Sequence, residues 1–124
     1  MSAATQTQNS PDPATVILKA FNRACVELGV NKADAAKIIG VNRSTLARKA
    51  AVGFSHDSKS AELSLHFIRL YRSLYAIAGG DQGFMRQWFS SSNSALHGVP
   101  RELVMSVAGL IQTNDYLDAM RGKI

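Results

Sequence analysis

Apolar residues in this chain recur at steps of three and four, a period that suits helices and excludes most other regular structure. Val16, Ile17, Ala20, Phe21, Ala24, Cys25 and Leu28 form one continuous stripe, stopped by Gly29, a residue that tolerates positive φ. A short second helix is expected over Lys32–Ile39 and a third from about Arg43 to Ala51, with Gly40-Val41 between them. Val52 to Asp57 reads as a connector, and Asp57 or Ser58 can cap the next helix. That helix, the longest, runs from about Ser60 to Ala78. Its expected inner face is Leu63, Phe67, Leu70, Tyr71, Leu74, Ile77 and Ala78, with Arg69 and Arg72 turned elsewhere. Gly79-Gly80 ends it, and Asp81 caps a short helix to Phe89. A serine- and asparagine-rich loop, Ser90 to Gly98, leads to Pro100, which suits a helical first turn, and Glu102 favours the positive end of that helix. This helix carries Leu103, Val104, Val107, Ala108 and Ile111. A last helix carries Tyr116, Leu117 and Met120 and stops at Gly122. No segment sustains two-residue alternation, and there is no internal repeat. The expected fold is all-α with about seven helices.

Composition sets the class. Of 124 residues, 46% are hydrophobic, enough for a packed interior and too many for a disordered chain. No apolar stretch approaches the ~18 residues of a membrane span. Met1 to Pro13 is polar, closed by two prolines, and lacks the basic-then-apolar pattern of a secretory signal; it reads as a disordered leader. A single cysteine, Cys25, cannot form an internal disulfide, which fits a reducing, cytoplasmic location. The formal charge of +5 is unevenly placed: Met1 to Ser60 holds eight Lys/Arg against four acids, and Ala61 to Ile124 six against five. The excess of +4 in the first half suits a polyanionic partner.

Residues 32–49, KADAAKIIGVNRSTLARK, have the parts of a helix-turn-helix. Ala36 is the small residue that lets the second helix cross closely, and Gly40 supplies the tight turn. Ala35, Ile39, Val41 and Leu46 lock the pair, and Asn42 is a strong N-cap type for the second helix. Its outer side offers Arg43, Ser44, Thr45, Arg48 and Lys49. Arg43 and Ser44, at the helix N-terminus, are candidates for base edges. Thr45, Arg48 and Lys49 are candidates for phosphate contacts, which position without specifying. This motif resembles that of the Xre/Cro-type repressors, and a single such motif needs a dimer for useful affinity.

The second half carries a distinctive series: Trp88, Asn93, Ala95-Leu96, Gly98, Pro100, Glu102-Leu103-Val104, Gly109-Leu110, Tyr116-Leu117-Asp118 and Arg121-Gly122. It resembles the C-terminal toxin-binding domain of the Xre/MbcA/ParS antitoxins, and with the preceding motif the resemblance runs from about residue 14 to the end. It implies the antitoxin of a type II pair. Such a protein binds a RES-domain toxin that consumes NAD, occludes its active-site cleft, represses their shared promoter and forms a homodimer through the same region. The implied division is a leader at 1–13, an Xre-like helix-turn-helix domain at 14–56, a connecting helix at 57–78 and a toxin-binding domain at 79–124. Candidate toxin-binding residues are Trp88, Asn93, Leu96, Tyr116, Asp118, Arg121, Gly122 and Lys123. Trp88 beside Phe89 reads alternatively as a core anchor and Asn93 as a loop-fixing side chain, and if inhibition relies on the extreme C-terminus, Arg121 to Lys123 are the tail that does it. Thr113 departs from the pattern, standing where an aliphatic residue is expected to face the core.

Other chemistry is not indicated. His56, His66 and His97 lack metal-ligand spacing, and no phosphate-cradling glycine loop or acid–base pair suggests an enzyme or a cofactor. Ser90 to Ser92 reads as loop, since nothing around it forms a nucleophile elbow. The competing expectation is a stand-alone dimeric transcriptional repressor whose second half only dimerises or senses a small ligand.

Overall fold

A computed structural model describes residues 12–123, and over these the chain forms seven α-helices. They are α1 (Pro13–Leu28), α2 (Lys32–Ile38), α3 (Arg43–Arg48), α4 (Lys59–Ala78), α5 (Gln82–Ser90), α6 (Pro100–Leu103) and α7 (Val107–Gly122). A single 3-10 turn, Lys49–Ala51, extends α3. The only β pairing among the described residues is an isolated bridge between Asn93 and Gly98. None of the described helices is long and apolar enough to cross a membrane. The leader expected over Met1–Pro13 lies outside the described residues except at its end, where Asp12 caps α1 and Pro13 opens it.

Local chemistry sets most boundaries. Asn31, Asn42, Ser58, Asp81 and Ser106 each accept a hydrogen bond from a backbone N–H in the first turn of the helix they precede. Gly29 and Gly79 end α1 and α4 in the left-handed conformation, at φ 73° and 61°. The connector folds back under α1 at Gly53, where φ is 75° and an added Cβ would lie 2.3 Å from the Ala14 carbonyl oxygen. Only glycine fits there.

Helix α4 is the axis of the molecule, packed against α1, α5 and α7. Phe21, Phe67 and Phe89, one each from α1, α4 and α5, meet edge to face with centroids 5.5 and 6.2 Å apart. Around them one core runs from Leu18 to Leu117 and draws on both halves of the chain. The inner face of α4 is wider than its apolar pattern: Ser64 and Ser73 are buried with Phe67, Ile68, Leu70 and Leu74. Ser64 satisfies its hydroxyl on the Ser60 carbonyl, 2.7 Å away.

Two expectations are corrected. Val16 is 47% exposed, and Leu18 takes the buried place. Counting back from Leu28 through Cys25, Phe21 and Leu18 at helical period reaches Ala14, not Val16. The expected helix from Pro100 through Ile111 is broken after Leu103, and residues 107 to 122 form one helix instead of the ends of two. Ser106 caps the new helix by accepting from Gly109 N at 3.0 Å, and an added Cβ on Gly109 would lie 2.0 Å from the Leu103 carbonyl oxygen. Val107 is consequently 59% exposed. Thr113 does face the core: it is fully buried and donates its hydroxyl to the Gly109 carbonyl at 2.8 Å, so the position tolerates a polar residue.

Candidate functional site

The helix-turn-helix is built from α2, the turn at Ile39 to Asn42, and α3. Ala35, Ala36, Ile38, Ile39 and Leu46 are buried, and Val41 packs partly against them. Gly40 turns the chain at φ 75°. Asn42 accepts from Thr45 N at 2.8 Å, so its side-chain oxygen serves the helix rather than standing free. Ser60, in the first turn of α4, donates to the Ile39 carbonyl at 2.9 Å and ties the turn to the long helix.

Of the other residues singled out, Arg43, Ser44, Thr45 and Arg48 lie on α3 and Lys49 in the 3-10 turn that extends it. Arg43, Ser44 and Arg48 are exposed, while Thr45 and Lys49 are half-buried. Arg48 donates to the Thr45 hydroxyl at 3.1 Å, and the Lys49 ammonium sits 5.9 Å above the Phe54 ring. Arg43 also borders a groove shared with Asn22 of α1 and Lys32 of α2. The first turn of α3 holds no acid. A short, outward-facing helix with a cationic side and hydroxyls is chemically suited to phosphates and base edges.

In the second half, Trp88 of α5 stacks on Tyr116 of α7, with ring centroids 6.3 Å apart and 15° between planes. Both are half-buried. Phe84, 47% exposed, joins Trp88, Gln87 and Ser91 around a shallow groove of about 270 Å³. Asn93 fixes its own loop: its side-chain oxygen accepts from Leu96 N at 3.1 Å, and its backbone exchanges bonds with Gly98 at 2.8 and 3.3 Å. Leu96 is buried, and its carbonyl accepts from Gln112 of α7 at 3.3 Å. Arg121, Gly122 and Lys123 form the exposed end of α7.

Asp118 lies apart from the Trp88–Tyr116 stack. It pairs with Arg69 of α4, while Arg121 donates to Ser73 at 3.4 Å and Asn114 to the His66 carbonyl at 2.9 Å. The structure thus brings Trp88 and Tyr116 together, leaves Asn93 and Leu96 as loop supports, and turns Asp118 toward α4.

Sequence reasoning passed over Arg86 and Arg101. Arg86 donates to the Val26 and Glu27 carbonyls, both at 2.9 Å. Arg101 donates to the Leu28 and Gly29 carbonyls, both at 3.2 Å, and to the Ser90 hydroxyl at 3.2 Å; its guanidinium lies 5.2 Å over the Phe89 ring. The available signal was in α1, whose last turn has no basic residue to meet its free carbonyls. Cys25 offers no nucleophile: burial pushes its thiol up to about 12 against the opposing pull of Lys32.

Comparison with curated proteins finds no match for this chain. Two family profiles do match. Residues 73–123 match the antitoxin Xre/MbcA/ParS C-terminal toxin-binding domain, and residues 7–69 match the antitoxin Xre-like helix-turn-helix domain. With half of its length in the second of these and most of the rest in the first, the chain belongs to the family of antitoxins built on an Xre-like helix-turn-helix domain.

Proposed function

We propose that this protein is the antitoxin of a type II pair that restrains a RES-domain, NAD-consuming toxin and represses the promoter they share. The observation that carries the reading is the presence in one chain of the two antitoxin domains. In the first, α3 turns Arg43, Ser44 and Arg48 outward; in the second, α7 ends in an exposed basic segment at Arg121 to Lys123. In this reading α3 enters the major groove, and a homodimer places two copies on successive half-sites. Arg43 and Ser44 read bases, while Thr45, Arg48 and Lys49 hold phosphates and Asn42 sets the helix start. Arg121, Gly122 and Lys123 occupy the toxin cleft, backed by the Trp88–Tyr116 stack and by the loop that Asn93 and Leu96 hold. Arg121 supplies the forked donor that a carboxylate- or phosphate-binding cleft accepts well.

Co-expression tests this. The product of the adjacent gene should arrest growth alone, and this protein should relieve the arrest and co-purify with it. Arrest that persists, or the absence of a complex, removes the antitoxin reading and leaves a stand-alone repressor.

A further inference from the structure

Helix α1 ends with an electrostatic deficit. Its last turn has no basic residue, and Glu27 places an acid near the negative end of the helix dipole. Apart from the Gly29 N–H, which also reaches the Val26 carbonyl at 3.1 Å, the groups that meet the four carbonyls from Val26 to Gly29 are side chains from far along the chain, the forked guanidiniums of Arg86 and Arg101. Both lie against Gly29, within 3.6 to 3.7 Å of where its Cβ would be. Arg101 is itself held by the Ser90 hydroxyl and the Phe89 ring.

The position of this clamp gives it a consequence for DNA binding. Its arginines lie in the segment matching the toxin-binding domain, and its carbonyls lie in the segment matching the helix-turn-helix domain. From Gly29 only Val30 intervenes before Asn31, the N-cap of α2. Fixing the Gly29 carbonyl therefore fixes the start of the helix-turn-helix. We propose that Arg86 and Arg101 are positioning residues for DNA recognition, holding the end of α1 so that α2 and α3 meet a duplex at a set angle. The inference rests on the DNA-binding reading above. On it, the toxin-binding segment is a working part of the DNA reader, although no residue of the clamp lies on α3.

The experiment must separate angle from stability, because capping alone also stabilises a helix. In the full-length protein, Arg86→Ala/Arg101→Ala removes both. Adding Val26→Lys to that variant, at an exposed position of the last turn that leaves the Arg23–Glu27 ion pair intact, restores a cation to the end of α1 without restoring the tether. Anisotropy titrations then compare a duplex from the region upstream of the protein's own gene with a scrambled duplex of the same composition, alongside thermal unfolding. The double variant should lose roughly three- to tenfold in affinity for the upstream duplex, with little change on the scrambled one. The triple variant should regain thermal stability without regaining that selectivity. Should the double variant not fold, Arg101→Lys, which keeps the charge but not the fork, should show a smaller loss of the same kind. Full selectivity in the triple variant, or in a folded double variant, overturns the inference alone. A wild-type protein that cannot tell the two duplexes apart overturns the DNA-binding reading and the inference with it.

Discussion

Arg43 and Lys49 carry the same charge in different settings. Arg43 is exposed at the first position of α3, whereas Lys49 is half-buried in the 3-10 turn with its ammonium over Phe54. A base reader and a phosphate holder respond differently to loss. Arg43→Ala should cost about 1–3 kcal/mol on the preferred site and much less on random DNA. Lys49→Ala should weaken both about equally and flatten the salt dependence by about one unit of slope. Titrations at several salt concentrations check both, and two variants that bind like wild type would exclude α3 as the reader. At this scale the sequence was legible wherever a side chain acts on its own neighbourhood. The Asn42 cap, the Gly40 turn and the outward Arg43 are all local events. For Arg86 and Arg101 the sequence showed only the need, a last turn of α1 without a basic residue; nothing in the pattern says which side chains meet carbonyls 59 to 73 residues upstream.

Helix α7 shows what period and burial decide at the next scale. It lies along α4 with Leu117 and Leu110 in the core and Asn114, Asp118 and Arg121 bonded to His66, Arg69 and Ser73 in order. The apolar contact should dominate. Leu117→Ala should cost about 2–5 kcal/mol in urea unfolding, through lost burial and a residual cavity. Asp118→Asn should cost less than about 1 kcal/mol, since both partners of its ion pair are partly exposed. Equal losses would contradict the placement of Leu117. The helix count and the caps at Asn42, Ser58 and Asp81 could be read from sequence, but the Ser106 cap and the break between Leu103 and Val107 could not. Leu103, Val104 and Val107 continue a helical period across it, whereas the Ser106 cap and the close backbone approach that Gly109 permits show only in the folded chain.

Across the whole molecule the charge asymmetry and the core divide differently. Positive charge concentrates before Ala61, yet the core joins both halves and the two family matches meet within α4, between residues 69 and 73. The proposed DNA reader and the proposed toxin-binding face therefore stand on one scaffold, and neither half has its own complete interior. The charge pattern pointed to a polyanionic partner for the first half; it could not anticipate a shared core, because burial on both sides of α4 comes from packing that no single stripe records. The central claim, restraint of an NAD-consuming enzyme by the end of α7, is tested most directly by measuring NAD loss catalysed by the purified product of the adjacent gene while this protein is titrated in. NAD loss should stop at stoichiometric addition of the full-length protein and continue with a chain lacking Arg121 to Ile124. Undiminished NAD loss with the full-length protein, or equal inhibition by the truncated one, would contradict that claim.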